Sequence, residues 1–272
     1  MKKRRNSKKK RQAELMLKLS IFFVLVVIMC MFIKKMDCNC SVVHSNDALS
    51  VSDTALSSAI PSVASDRSSD NLIPFSGLSQ EGIPTGCESV STVSVLTHCG
   101  IDISVDDFIQ NFLPCKSFYR QNGALFGADP NEYFAGNPYT TSSLGCYPDV
   151  IIKALDAMKH ADYEGMDDIN YQKETGKTLD TLVLEYIDRQ IPVIVWVTID
   201  MNESYPGMRY YLEDGSIYTW TAQEHCAVLC GYNEESYYIM DPLADGEIVE
   251  YPKELVETRY EEMGKNAVVI YE

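Results

Sequence analysis

The sequence predicts an α+β domain behind a single transmembrane helix, and three observations carry that prediction. A run of 19 mostly apolar residues, 15–33, lies between clusters of lysine and arginine near the N-terminus. Between Cys87 and Arg189, apolar side chains recur at helical intervals. From Pro192 onward, short β-branched and aromatic runs alternate with turn residues, which is strand patterning. Helices lead and an antiparallel sheet follows, the order of an α+β architecture.

The apolar run spans roughly 28 Å as a helix at about 1.5 Å per residue, close to a hydrocarbon core of about 30 Å. Lys18 lies one turn inside its start and can snorkel to the headgroups. A cleaved signal peptide shares the basic-then-apolar order, but no A-x-A-like cleavage site follows, and the segment before Cys30 lacks the small residue of a lipoprotein site. The excess of basic residues on the N-terminal side keeps that end in the cytoplasm and places the rest outside. The expected layout is a basic cytoplasmic tail (1–14), a membrane helix (15–35) contacting the lipid bilayer, a flexible Ser-rich stalk (36–71) and one folded domain (72–272).

Within the folded domain, Thr85-Gly86 reads as the turn before a helix starting at Cys87. Further helices are expected over Asp106–Phe112, Tyr147–Lys159 and Leu179–Arg189. Strands are expected over Pro192–Ile199, Tyr218–Trp220, His225–Tyr232, Tyr237–Asp241, Glu247–Tyr251 and Ala267–Tyr271, with 233–236 as a hairpin turn. The first forty residues hold eleven Lys/Arg against two acidic residues, which leaves the remainder with a net charge of −25. So acidic a domain repels a phosphate backbone, which excludes nucleic acid as a partner.

Nine cysteines, an odd number, are too few for a disulfide scaffold. Cys38/Cys40 and Cys226/Cys230 are the tight pairs, and neither spacing suits a zinc site, so no metal and no cofactor are expected. Disulfides among Cys99, Cys115 and Cys146 remain open for an extracellular domain. Cys87 differs by opening a helix, where the N-terminal partial charge favours a thiolate. A nucleophilic cysteine needs a base. Of the four histidines, His44 lies in the stalk, His98 is on the same helix as Cys87, and His160 ends another helix. His225 begins a strand 138 residues after Cys87, a papain-type spacing, and Asp241 stands where a carboxylate orients the imidazole. Spacing alone leaves structural readings standing beside this one, since free cysteines are commonly core filler and Asp-Pro is commonly a turn.

The run Ile83-Pro84-Thr85-Gly86-Cys87-Glu88-Ser89 resembles the nucleophile motif of bacterial family-39-like cysteine peptidases, papain-fold relatives of the domains that cut double-glycine leaders. Gly127-Ala128-Asp129-Pro130, Gly136-Asn137-Pro138-Tyr139, Gly145-Cys146-Tyr147, and His225 to Tyr232 followed by Asp241-Pro242 are similar to segments of standalone members. The resemblance covers residues 72–272. It implies a papain-like fold with Cys87 as nucleophile, His225 as general base and acid, and Asp241 as orienting carboxylate. It also implies an oxyanion-hole glutamine upstream of the cysteine, for which Gln80 is the candidate. The expected partner is a peptide or protein substrate, hydrolysed at the surface of a Gram-positive bacterium. Two alternatives stay open: a cell-wall peptide amidase or transpeptidase, and an inactive papain-like ectodomain that binds peptide. The aromatics between Phe118 and Thr141 are candidates for lining the cleft, though such residues are more often core.

Overall fold

The computed structural model describes residues 70–272; the expected tail, membrane helix and all but the end of the stalk lie outside the described residues. Among the described residues, no helix is long and apolar enough to cross a membrane. Strand β1 (Asn71–Leu72) opens the domain, so Asn71, the last expected stalk residue, already pairs with Tyr232. Helices α1 (Cys87–His98) and α2 (Val105–Asn111) follow. Next come the short strands β2 (Cys115–Lys116), β3 (Tyr119–Gln121), β4 (Ala124–Phe126) and β5 (Phe134–Ala135). Helix α3 (Pro148–His160), strand β6 (Asn170–Lys173) and helix α4 (Leu179–Glu185) end the first half. The second half holds β7 (Val193–Thr198), β8 (Tyr205–Tyr211), β9 (Ile217–Ala222), β10 (Glu224–Tyr232), β11 (Ser236–Met240), β12 (Ile248–Pro252), helix α5 (Lys253–Glu262) and β13 (Ala267–Tyr271).

The main sheet runs β12-β11-β10-β7-β13-β6, with antiparallel neighbours throughout, and β1 adds to the far end of β10. Its centre is apolar on both faces. Val193 to Val197 in β7 are fully buried, and every residue of β10 is buried. Burial of each such aliphatic side chain is worth roughly 1.5–3 kcal/mol, which makes these two strands the anchor of the domain. β1 approaches β10 so closely that a Cβ at Gly231 would sit 2.4 Å from the Asn71 carbonyl oxygen. Only glycine fits there.

Helix α1 packs on β10 and is buried nearly all round, including Ser89, Ser91, Thr92 and Ser94. Three of those hydroxyls are satisfied locally: Ser91 donates to the Cys226 carbonyl at 3.0 Å, Thr92 to the Glu88 carbonyl and Ser94 to the Val90 carbonyl. Small hydroxylated residues therefore let a helix sit inside the core with most of their hydroxyls satisfied, Ser89 Oγ being left without a partner among the described residues. Helix α3 is the amphipathic case. Pro148 starts it, and Val150, Ile151, Ala154, Leu155 and Met158 form its buried stripe. Ser104 and Thr178 cap α2 and α4 by accepting from backbone N–H groups three residues on. A second sheet, β3-β4-β8-β9, flanks the main one.

Most expected elements are present, and the differences have physical causes. The expected helix Leu179–Arg189 breaks at Tyr186, and Ile187–Arg189 form a separate tight turn closed by Gln190 at φ 64°. β8 was not expected because Pro206 and Gly207 disrupt its pattern, and its register with β9 shifts between Pro206 and Arg209. α5 was hidden by its charge, with only Val256 and Tyr260 buried one turn apart. All six described cysteines are free, so the disulfides left open among Cys99, Cys115 and Cys146 are not formed.

Candidate active site

Cys87 is the first residue of α1, and the chain before it is held by several bonds. Thr85 donates its N–H to the Pro138 carbonyl at 3.2 Å, and its hydroxyl reaches the Pro138 and Thr140 carbonyls. The Gly136–Tyr139 segment is thus a brace for the approach to Cys87. Gln80 donates its N–H to the Pro242 carbonyl at 2.9 Å, which ties this loop to the turn that follows Asp241.

His225 stands second in β10, opposite Val197 of β7. Its Nε2 lies 2.7 Å from Asp241 Oδ1, and both residues are buried. The same oxygen accepts the Leu243 N–H at 2.8 Å, so the carboxylate is fixed by the turn as well as by the ring. Burial pushes the Asp241 carboxyl up. The hydrogen bond and charge of His225, with the Leu243 and Ala244 amides, outweigh that and hold it below its ordinary value. Gln80, Cys87 and His225 all line one cavity of about 380 Å³, with Tyr205 and Met208 of β8 and Trp220 of β9 on its wall. The second sheet therefore supplies one side of the cleft.

All four expected site residues are accounted for. His225 and Asp241 are bonded, and Gln80 and Cys87 share the cavity with His225. The Cys87 thiol, however, donates to Glu88 Oε2 at 3.4 Å and has no hydrogen bond to His225. Its acidity also departs from the expectation for a helix N-terminus. Burial, then Glu88 and Glu224, push the thiol well up rather than down. Cys146 and Cys226 are buried and pushed up in the same way, but only Cys87 of the three lines the cavity. His98 packs against Phe75, and His160 Nδ1 lies 2.6 Å from the Asp156 carbonyl, both outside the site. The aromatics expected as cleft candidates are elsewhere: Phe134 is core, Tyr119 stacks on Phe126, and Tyr133 and Tyr139 are exposed.

Glu88 and Glu224, next in sequence to Cys87 and His225, were not singled out from the sequence. Glu88 is fully buried, and its Oε1 accepts the Cys146 N–H at 2.6 Å. Trp196 Nε1 donates to the Cys146 carbonyl at 2.8 Å and clamps the same segment. A Cβ at Gly145 would fall 2.3 Å from Glu88 Oε1 and 3.1 Å from Glu224 Oε2, so the glycine makes room for both carboxylates. Burial raises Glu88 to about 7, and burial plus the Glu88 charge raises Glu224 well above the ordinary range. The available signal was a glutamate at the start of one fully buried element and another at the start of a second.

Residues 72–268 match the Peptidase_C39 like family over most of the chain, and the chain belongs to that family. A family of this kind indicates a peptidase, of the cysteine type. A C39-like peptidase from Bacillus anthracis, known from its crystal structure, superposes with a TM-score of 0.62 at 25% identity, covering 75% of this chain and 98% of that one. The peptidase domain of Streptococcus ComA, a bifunctional ABC transporter of a quorum-sensing pathway, gives a TM-score of 0.41 at 13% identity, covering 72% of this chain and 96% of that one. No curated protein sequence matches.

Proposed function

We propose that the chain is a cysteine peptidase whose nucleophile is Cys87, with His225 as general base and acid, Asp241 as its orienting group and Gln80 as an oxyanion donor. The observation that carries this is the bond between His225 Nε2 and Asp241 Oδ1, at 2.7 Å, in a cavity that His225 lines with Cys87 and Gln80. With Nε2 committed to Asp241, Nδ1 is the nitrogen left for the thiol. Because burial and two carboxylates hold the resting sulfur as a thiol, His225 takes its proton as the sulfur attacks the peptide carbonyl. The oxyanion then meets the Cys87 N–H and the Gln80 side-chain amide. His225 returns the proton to the leaving amine, and water activated by the same ring hydrolyses the acyl-enzyme.

A peptide carrying a thiol-reactive electrophile tests the assignment. The full-length wild type should be labelled and Cys87→Ala should not; equal labelling of both overturns it.

The reading includes location. Residues 15–35 anchor the chain in the cell membrane with the N-terminus cytoplasmic, and the catalytic domain faces outward on its stalk. The basic flank and the 19-residue apolar run support this topology. Protease added to intact cells should remove the domain, and full protection of the domain would contradict the orientation.

A further inference from the structure

Three buried side chains meet at the Cys87 sulfur, and two of them, Glu88 and Glu224, have no part in peptide hydrolysis. Cys87, Glu88 and Glu224 each present one donor atom within 4.8 Å of the other two. Glu88 is 0% exposed and Glu224 8%, and Glu224 Oε1 is buried with no hydrogen-bond partner among the described residues. Among the described residues, no cationic side chain acts on either carboxylate. Two buried carboxylates and a thiol with no counter-charge must either keep protons or take up a cation.

The geometry is compatible with the cation as well as with the proton of the thiol–carboxylate bond. A tetrahedral zinc ion, with Zn–S about 2.3 Å and Zn–O about 2.0 Å, sets a sulfur–oxygen edge of about 3.5 Å. The Cys87 Sγ to Glu88 Oε2 separation is 3.4 Å. Glu88 Oε1 is held from behind by the Cys146 N–H, as the outer partners of metal ligands are, which leaves Oε2 turned toward the sulfur. The absence of a side chain at Gly145 leaves room for the Glu224 carboxylate beside that of Glu88. One thiolate with two carboxylates suits a zinc-type ion better than magnesium or calcium, which take oxygen ligands only.

We infer that Cys87, Glu88 and Glu224 form a binding site for a divalent transition metal of the zinc type, and that its occupation holds the Cys87 sulfur as a metal thiolate that cannot attack a peptide. On loading, the thiol proton and any carboxyl protons pass to solvent, the sulfur and two oxygens each donate a pair to the ion, and no electron is transferred. A 2+ ion on three anionic ligands leaves a net charge of −1 and gives the unpartnered Glu224 oxygen a counter-charge. Cysteine spacing could not show such a site, because its ligands come from two chain segments and only one is a cysteine. The inhibitory half rests on Cys87 being the nucleophile proposed above, whereas the binding half does not.

Cobalt(II) is the probe, since its thiolate charge-transfer and tetrahedral ligand-field absorptions report both ligand type and geometry. The full-length chain, reduced and freed of metal by a chelator, should develop both absorptions at one equivalent of cobalt, and zinc should displace them. Cys87→Ser should abolish the charge-transfer absorption, which separates this site from the other eight cysteines. Glu88→Gln and Glu224→Gln should each weaken zinc binding by roughly tenfold or more. His225→Ala should leave the affinity unchanged, whereas a Cys87–His225 site would lose it. Glu224→Asp, which keeps the charge and shortens the reach, serves if the amide variant fails to fold, and should also bind more weakly. Zinc should block labelling of wild type by the thiol-reactive peptide, and the chelator should restore it. Absence of any Cys87-dependent absorption overturns the proposal, as does wild-type affinity in the Glu88→Gln/Glu224→Gln double variant. Because absorption does not depend on turnover, an inactive but cobalt-binding protein would sink the peptidase reading alone.

Discussion

Glu174 and the pair Glu88/Glu224 are all buried carboxylates, yet they behave oppositely. Glu174 Oε1 accepts from the Tyr186 hydroxyl at 2.6 Å and from Gln172 Nε2, and its other oxygen lies 2.5 Å from Lys177 Nζ. Burial pushes Glu174 up, but Lys177, Tyr186 and Gln172 outweigh it and hold the carboxyl below its ordinary value. Glu88 has only the backbone N–H groups of Cys146 and of Glu88 itself besides the weak Cys87 thiol, and Glu224 has an orphaned oxygen, so burial prevails and both are raised. The cost of removing a carboxylate from water is common to both regions, and the partners decide its sign. The supplied carboxylate braces the fold, and the unsupplied ones sit against the proposed nucleophile, where perturbed groups concentrate.

The comparison separates function from stability, and the largest effects test function. Cys87→Ala and His225→Ala should each lower peptide hydrolysis by on the order of 10³-fold or more, since nucleophile and base act as a unit. Cys87→Ala should melt near wild type, whereas His225→Ala, which leaves the buried Asp241 carboxylate without its ring partner, should melt lower, so its turnover is compared per folded molecule. A variant that melts early but turns over normally when folded would place that residue with Glu174 instead. Asp241→Asn should fall between, because an Asn carbonyl still accepts from the ring and keeps part of its orientation.

Glu174→Ala should do the reverse. It strands the buried Tyr186 hydroxyl, while Lys177 keeps Glu185 and Gln172 keeps the Tyr186 oxygen, and leaving a buried donor unpaired costs about 1–3 kcal/mol. The urea midpoint should drop while turnover per folded molecule holds. Loss of turnover without loss of stability would break the comparison.

The two regions should also respond to pH with opposite slopes. Glu174, depressed on folding from 4.5, contributes stability that is present above that value and lost as pH falls through its folded value. Glu88, raised from 4.5 to about 7, holds its proton more tightly when folded, so its contribution is full below 4.5 and fades as pH rises toward 7. With a chelator present, Glu88→Gln should remove that decline, since its amide oxygen still accepts the Cys146 N–H. Urea midpoints of wild type and variant measured across this range should converge at the acid end or diverge at the neutral end; parallel curves would mean that Glu88 does not titrate there.

Much of this arrangement was legible in the sequence where pattern and chemistry agree. Helix α1 begins at Cys87 as its Thr-Gly turn suggests, and α3 follows its apolar stripe. β7, β10 and β11 follow their β-branched runs and hairpin turn. The pattern failed where tertiary packing overrides it. β6 is polar along its length and survives because β13 supplies its ladder, and β8 tolerates Pro206 and Gly207 through a register shift. At the site, Cys87, Gln80, His225 and Asp241 were visible through residue type, spacing and resemblance. Glu88 was hidden because a glutamate in a first helical turn ordinarily faces solvent and suits the helix dipole. Its burial is a property of the whole fold.

The smallest expected effect falls on Cys226, which tests whether burial alone or burial at the cavity marks the nucleophile. Cys87 and Cys226 are both buried, and Glu88 and Glu224 push both thiols up, so acidity does not distinguish them. Access does, because Cys87 lines the cavity with His225 and Gln80 and Cys226 does not. Cys226 follows His225 in β10, and side chains alternate across a strand, so its sulfur points to the opposite face from the imidazole. Cys226→Ala should therefore leave labelling by the thiol-reactive peptide unchanged and cost about 1 kcal/mol for the small void left in the core. If that variant loses labelling while Cys87→Ala keeps it, the nucleophile is the strand cysteine, and position at a helix N-terminus has selected the wrong thiol.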